Sequence, residues 1–468
     1  MSQHRPHVVI VGGGFGGLAA ARALRKAPVT VTLLDRRNHH LFQPLLYQVA
    51  TAALNPSEIA YPIRGALAKQ ANARVLLAEV TSIDVAQRTI VLDDGELGYD
   101  FLVVATGATH SYFGKDWAAL APGLKTIEDA LEIRRRVFLA YEAAEREAST
   151  EQQREWLTFV VVGAGPTGVE LAGALGEIGL HTLAHDFRRI DSTSVRVLLL
   201  EGRERVLTTY VPKLSEAARR SLESRRVEVR TNTFVTGIDR AGVTIEVRDG
   251  ERTRTERIGA RTVLWAAGVQ ASPLAKSLGA PLDRMGRVEV LPDLSIPGHP
   301  EVFVIGDLAK MVSNGKDVPG VAQGAMQGGA HVGRIISSAV KGDGARPAFR
   351  YRDKGSMATI GRSSAVVETG RVTISGFLAW LMWWVVHILF LIGFRNRVFV
   401  MFQWAWQWLT FQRGARLITG EIPPLPPVRD LLPDGTAGLT DAARTIGISA
   451  PAKPAAPRPV RDEPVVRP

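Results

Sequence analysis

The feature that most constrains this chain is a unit of strand, glycine-rich turn, helix and strand ending in a carboxylate, and it occurs twice. Val8-Val9-Ile10-Val11 enters Gly12-Gly13-Gly14-Phe15-Gly16-Gly17, a helix-forming Leu18 to Leu24 follows, and Val29 to Leu34 ends on Asp35. The second copy runs from Phe159 to Val162 through Gly163-Ala164-Gly165-Pro166-Thr167-Gly168, a helical Val169 to Leu180, and Val195 to Leu200 ending on Glu201. A lone GxGxxG marks many ordinary turns, but this context carries a mechanism. Gly12 or Gly163 makes the tight turn, Gly14 or Gly165 lets a pyrophosphate approach the backbone, and Gly17 or Gly168 lets helix and strand pack closely. The helix N-terminus then offers free N–H groups and the positive end of its dipole to the phosphates. Asp35 and Glu201 would accept hydrogen bonds from ribose hydroxyls. The competing reading is a pair of glycine turns in an unrelated α/β protein, and two full contexts in one chain weigh against it.

Asp35 follows Gly17 by 18 residues but Glu201 follows Gly168 by 33, so the second unit carries an insertion, placed at His181 to Ser194. A carboxylate at Glu201 repels the extra phosphate of NADP and favours NADH, with Arg203 and Arg205 partly offsetting that repulsion. Two dinucleotide sites in one chain imply one dinucleotide held permanently and one exchanging. Tyr99 to Thr106 reads as a strand stopping at Gly107, Ile127 to Arg154 as a helical connection, Arg261 to Ala266 as a strand stopping at Ala267-Gly268, and Val302 to Ile305 as a strand entering Gly306-Asp307. Gln323, Gln327 and His331 share one helix face.

Cysteine is absent. That excludes disulfide frameworks, iron–sulfur clusters, thiol nucleophiles and dithiol centres, so redox chemistry needs a bound cofactor that hands electrons on directly. His39 and His40 share no helix with carboxylates at ligand spacing, so no metal is expected. The net charge of +11 suggests an anionic neighbour. A strand beginning by His7 or Val8 leaves no room for a secretory leader, which makes the cytoplasm the default address. Ile374 to Phe394 is a 21-residue run without Asp, Glu, Lys or Arg until its end, long enough to span a bilayer, whereas Val398 to Phe411 is too short. Six of the nine Trp fall between 374 and 411, and Arg371, Arg395, Arg397, Arg413 and Arg416 flank or separate the segments, as snorkelling side chains at a lipid interface do. From Glu421 onward eleven of the 26 prolines make an extended or disordered end.

The first turn with YDFLVVATGA, the second turn with TVLWAAG, and VFVIGD with its downstream helix resemble the two-dinucleotide-binding-domain flavoproteins. HHLFQPLLYQVAT (His39 to Thr51), VVGAGPTGVELAG (Val161 to Gly173), GVAQGAMQGG (Gly320 to Gly329), KGSMATIGR (Lys354 to Arg362) and the stretch from Gly376 to Arg397 narrow the resemblance to the type II NADH:quinone oxidoreductases, over roughly residues 7 to 420. The overall pattern resembles actinobacterial members. The resemblance implies an α/β fold of two Rossmann-like domains plus a C-terminal membrane-associated helical segment. It divides the chain into 1–125 and 276–370 for FAD, 126–156 as a helical connection, 157–275 for NADH, 371–420 for the membrane helices and 421–468 as the tail.

Carried over residue by residue, the resemblance assigns non-covalent FAD to Gly12, Gly14, Phe15, Gly16, Gly17, Asp35, Gln43, Val80, Ala105, Thr106, Gly107, Asp307, Ala322 and Gln323. It assigns the substrate NADH to Gly163, Gly165, Pro166, Thr167, Gly168, Glu170, Glu201 and Gly268. Glu170 would position the reacting rings or assist proton delivery; the plain alternative is a first-turn Glu favoured by the helix dipole. Gln323 and Gln327 would border the path of a membrane quinone, menaquinone or ubiquinone, where an uncharged amide bonds carbonyls without a charge's desolvation cost; for Gln327 a solvent-facing role competes. Asp307 would lie near the ribityl–pyrophosphate region or cap a helix. His387 reads as an interfacial anchor. The implied activity is hydride transfer from NADH to FAD and then two-electron reduction of quinone, without proton pumping, at the cytoplasmic face of the cell membrane. Family members often dimerise, and no nucleic acid partner is expected. Two readings compete: a soluble NADH:ferredoxin-type reductase, and a non-catalytic flavin- and NAD-binding protein for polyanions. Of the two attachments, a single span and a pair of helices lying in the interface, the arginines on both flanks favour the second.

Overall fold

The computed structural model describes residues 5–427, so most of the proline-rich tail lies outside the described residues. The two glycine-turn units fold into two sheets with the same internal order. In the first, Ala73–Leu77, Thr30–Asp35, His7–Val11 and Phe101–Val104 lie side by side in parallel, and the late strand His299–Val304 joins next to Phe101–Val104. In the second, Val227–Arg230, Arg196–Leu200, Thr158–Val162 and Thr262–Trp265 repeat the arrangement. Both central strands are buried along almost their whole length, which is why they read as unbroken apolar runs. The backbone bonds match as well: Gly12 N–H donates to Leu34 O at 2.8 Å and Gly163 N–H to Leu200 O at 2.7 Å.

The two sheets are bridged where Ala108–His110 pairs antiparallel with Val269–Ala271. The expected helical connection is a helix over Ile127–Arg146 and a shorter one over Thr150–Trp156. Thr126 starts the first of these with a capping box, its hydroxyl accepting from Asp129 N–H. The insertion at 181–194 runs between a short π-helical turn, Ile178–Thr182, and the 3-10 turn Ser192–Ser194.

The first glycine-turn helix, Phe15–Ala23, lies against Ala322–Ala339 so closely that a methyl group at Gly329 would overlap the Gly16 carbonyl oxygen. Gly16 is buried in this crossing against Ile305 and Ala325.

The C-terminal region departs most from expectation. Ser356–Thr359, Ala365–Thr369 and Val372–Gly376 form an antiparallel sheet that packs beside the second glycine-turn helix, Pro166–Glu177. A domain boundary at 370/371 would therefore cut through a sheet. The 21-residue apolar run is also broken: its first three residues finish a strand, Gly376 turns the chain at φ +81°, and the helix covers only Phe377–Phe390. A second turn at Gly393, φ +92°, starts the helix Phe394–Thr410. At 1.5 Å per residue these helices are about 21 and about 26 Å long, short of the roughly 30 Å of a bilayer's hydrocarbon. No helix among the described residues is long and apolar enough to cross a membrane.

Each of the two helices buries one stripe at i, i+4, i+8, namely Ala379, Trp383 and His387 in the first and Asn396, Val400 and Trp404 in the second. Phe377, Leu378, Leu389, Phe394, Phe402 and Leu409 are each at least half exposed. An apolar surface of this extent marks an interaction site. His387 belongs to the buried stripe: it stacks on Trp383 at 4.3 Å, and burial pushes its pKa down to about 4, so it is a neutral packing residue and not an interfacial anchor. Arg413 is likewise no snorkelling side chain; its side chain is only 10% exposed, with Nη2 3.4 Å from Glu177 and Nη1 donating to Thr51 O at 2.8 Å.

Candidate functional site

Both glycine turns end in helices whose first residues have no side-chain cap: Gly14 and Gly165 stand at the N-caps with φ −72° and −71°. The leading N–H groups are left to point outward. A methyl group on Gly14 or Gly165 would meet nothing within 4 Å, whereas one on Gly17 or Gly168 would overlap the carbonyl oxygen of Gly12 or Gly163. In each turn, then, one glycine faces open space where a diphosphate fits and the other is required by packing. Pro166 opens the second helix at a position whose N–H would be unpaired anyway.

The carboxylates behind the turns repeat each other. Asp35 accepts from Gly13 N–H at 2.6 Å and Arg37 N–H at 2.7 Å; Glu201 accepts from Ala164 N–H at 2.7 Å and Arg203 N–H at 2.9 Å. Each oxygen keeps a lone pair for a ribose hydroxyl. The side chains of Arg203 and Arg205 bond Thr208 and the Thr208 and Tyr210 carbonyls, which ties down the two groups expected to soften the repulsion of a 2′-phosphate.

FAD fits the first unit by what is left unpaired there. Thr106 Oγ1 is buried without a hydrogen-bond partner beside the strand end that places Ala105 and Gly107. Asp307, in the turn Gly306–Leu308, makes no hydrogen bond among the described residues and faces Gly320. It caps no long helix: Ala322–Ala339 begins after Val321 with no side-chain cap. Val80 starts the strand Val80–Asp84 and is partly buried against the first unit's core.

The two units converge on a pocket of about 130 Å³ lined by Gln43, Tyr47, Thr167, Glu170, Trp265 and Gly268, among others. Phe15 stands nearby, edge-on to Phe42 with ring centroids 5.8 Å apart. Glu170 is the fifth residue of its helix, beyond the first turn, so the dipole explanation does not apply to it. Burial raises its pKa to about 8, with the Thr359 backbone N–H opposing the shift. A carboxyl group that stays protonated near neutral pH, at the meeting point of two nucleotide-binding units, is what a proton-handling site requires. Sequence reading missed Tyr47, His110, Lys125 and Trp265, which share the pocket; Tyr47 was visible only as part of the motif His39–Thr51.

Gln323 and Gln327 occupy one helix face as expected, but both amides clamp the chain that follows. Gln323 donates to Gly355 O at 2.8 Å and accepts from Lys354 N–H at 3.1 Å; Gln327 donates to Arg352 O and accepts from Arg352 N–H, each at 2.9 Å. Neither lines the pocket.

Residues 6–329 match the pyridine nucleotide-disulphide oxidoreductase family, and residues 354–413 match the NDH2 C-terminal domain. The chain is 48% identical over 430 residues to the type II NADH:quinone oxidoreductase Ndh of Mycobacterium tuberculosis, covering 89% of this chain and 91% of that one. It is 31% identical over 376 residues to the corresponding enzyme of Staphylococcus haemolyticus, covering 78% and 90%. The fold is similar to the NDH2 of Plasmodium falciparum solved with NADH, at a TM-score of 0.80, 20% identity, and coverage of 88% and 99%. Two nucleotide cradles, a thiol-free pocket between them, an apolar C-terminal face and these likenesses agree: the chain belongs to the type II NADH:quinone oxidoreductases.

Proposed function

We propose that this protein oxidises NADH and reduces a membrane quinone at the pocket where its two nucleotide-binding units meet, with Glu170 as the proton-handling residue. FAD, when bound, supplies the two-electron carrier between the two substrates. Gly12, Gly14, Gly17, Asp35, Ala105, Thr106, Gly107 and Asp307 would hold it, with Gln43, Val80, Phe15, Ala322 and Gln323 at its margins. Gly163, Gly165, Thr167, Gly168 and Glu201 would hold NADH, and Gly268 would let the nicotinamide lie close to the backbone of the pocket.

Quinone reduction consumes protons as well as electrons, so the pocket needs a group that is protonated when the acceptor arrives. Glu170 with a pKa near 8 meets that need at pH 7, where an ordinary carboxyl group would be ionised. Burial of the carboxyl group is what raises that pKa. The sequence contains no cysteine, so the disulfide chemistry in the broader family's name has no residues here.

The two short helices, 377–390 and 394–410, would lie in the lipid interface with Phe394, Phe402 and Leu409 immersed, carrying quinone to the body; residues from about 354 would form one unit with them. The cytoplasmic leaflet, menaquinone or ubiquinone as acceptor, and a homodimer belong to the same proposal. A soluble ferredoxin-type reductase leaves that apolar face without a purpose. The observation that carries the reading is the raised Glu170 in the pocket between the two cradles. The test is the absorbance of the purified protein: NADH without oxygen should bleach a yellow preparation, and added quinone should restore its colour. A preparation that NADH does not bleach refutes it.

A further inference from the structure

The strand Ala108–His110 brings to the pocket wall a histidine that the proposed reaction leaves without a task. The wall is bonded together around it. Ser111 N–H donates to Gly268 O at 3.1 Å, Trp265 Nε1 donates to Ser111 O at 2.8 Å, and His110 pairs across the strands with Val269. Trp265, Gly268 and Val269 all line the pocket with it. The place is also cleared for the ring: a methyl group on Gly123 would stand 2.3 Å from both Nδ1 and Cε1 of His110.

One side of the imidazole is committed. His110 Nε2 lies 3.1 Å from Asp129 Oδ2, and the same oxygen accepts from Lys125 N–H and Thr126 N–H, each at 2.9 Å, which fixes the carboxylate. Burial works against the charge on Asp129, yet these bonds hold its pKa below the ordinary carboxylate value, and an ionised carboxylate can only accept. Nε2 therefore carries the hydrogen. In the neutral ring Nδ1 is then an acceptor, and it has no partner among the described residues.

An acceptor discriminates between the two substrates. A quinone presents carbonyl oxygens, which also only accept, whereas the nicotinamide carries a carboxamide with two N–H donors. Gly268, where the nicotinamide would lie close to the backbone, is bonded to the residue next to His110.

We infer that His110 binds the nicotinamide carboxamide, Nδ1 accepting one of its N–H groups, with Asp129 as the positioning residue that fixes the tautomer. This deepens the proposed function and rests on the pocket being the place where nicotinamide meets flavin.

The test compares NADH with reduced 3-acetylpyridine adenine dinucleotide, in which a methyl group replaces the amide nitrogen, on the full-length, FAD-loaded enzyme with a water-soluble short-chain quinone. The wild type should show a KM about fivefold lower for NADH than for the analogue, the worth of one neutral hydrogen bond. His110→Ala should raise the KM for NADH by about that factor and leave the analogue's unchanged, so that the gap closes; a merely structural role would raise both. His110→Gln, whose amide oxygen still accepts, should restore part of the gap. Gly123→Ala, which pushes the ring from its place, should close it as well and serves if His110→Ala does not fold. A gap that persists in His110→Ala, a wild type that takes both nucleotides alike, or a variant that sheds its flavin instead of its NADH preference overturns this inference. Bleaching of the wild-type flavin by NADH spares the proposed function in each of those cases, and a wild type that NADH fails to bleach overturns both.

Discussion

Replacing Gly165 or Gly168 by alanine adds the same methyl group to one turn, and the structure separates the outcomes. At Gly168 the new carbon would overlap the Gly163 carbonyl oxygen and stand 3.0 Å from its carbon, and no side chain can move aside because the obstacle is backbone. Helix 166–177 would have to lift from its strand, an overpacking cost of about 1–3 kcal/mol. In a domain of this size that lowers Tm by about 2–10 °C. At Gly165 the backbone, φ −71° and ψ −178°, suits alanine, and nothing lies within 4 Å. Folding should be unchanged or slightly firmer. The methyl group would instead occupy the space a pyrophosphate uses to reach the helix N–H groups. Loss of one charge-assisted hydrogen bond, about 1.5–3 kcal/mol, corresponds to a rise in KM for NADH of about 10- to 150-fold. Differential scanning fluorimetry and steady-state NADH titrations at fixed quinone separate the two effects, with flavin absorbance as a check on the other cradle. If Gly165→Ala binds NADH like the wild type, or melts as early as Gly168→Ala, the division of labour between the two glycines is wrong.

Glu170 links stability to pH: its carboxyl group, ordinarily near 4.5, holds its proton to about 8 in the folded state. Between those values the native state binds more protons than the unfolded one, so stability falls as pH rises through the window and levels off above it. Thermal melts of Glu170→Gln against the wild type from pH 5 to 9 should therefore show the variant gaining with pH, and parallel curves would exclude the shift. Glu201→Gln keeps an acceptor for the ribose but removes the charge that repels a 2′-phosphate, so the NADH preference over NADPH should narrow by about tenfold; an unaltered ratio of kcat/KM values would count against that carboxylate as the selector. Phe402→Ser with Leu409→Ser, on the exposed face, should weaken co-sedimentation with lipid vesicles while NADH oxidation by a water-soluble quinone persists. Binding to vesicles at full strength would mean the lipid contact lies elsewhere.

The two nucleotide cradles were legible because their chemistry is local. A turn, a helix start and a carboxylate at a strand end lie within a few dozen residues, and the demand for glycine is written where the backbone crowds itself. The paired strand orders followed from the same repeat. Glu170 was legible only by resemblance: its raised pKa comes from burial in the assembled fold, where even the backbone group that bonds it, at Thr359, lies almost two hundred residues away, and no local pattern announces that environment. Gln323 and Gln327 were placed on the right helix face, but their bonds to residues 352–355 depend on where a later segment returns.

The C-terminal helices show why hydropathy alone misjudges an interfacial segment. A window average sees one apolar run across 374–394, yet Gly376 and Gly393 adopt positive φ and divide the chain into lengths that cannot span. The buried stripe then uses Trp, His and Asn, residues a transfer scale places at the surface, because Trp404 and Asn396 find partners in Gln48 and in the Ser57 and Ala60 carbonyls. This changes what deleting residues from 374 onward would report. A deletion meant to remove quinone access and spare NADH oxidation would also strip Arg413 from Glu177 and Trp404 from Gln48. Only substitutions on the outward face, which leave those bonds in place, separate the route for quinone from the chemistry it feeds.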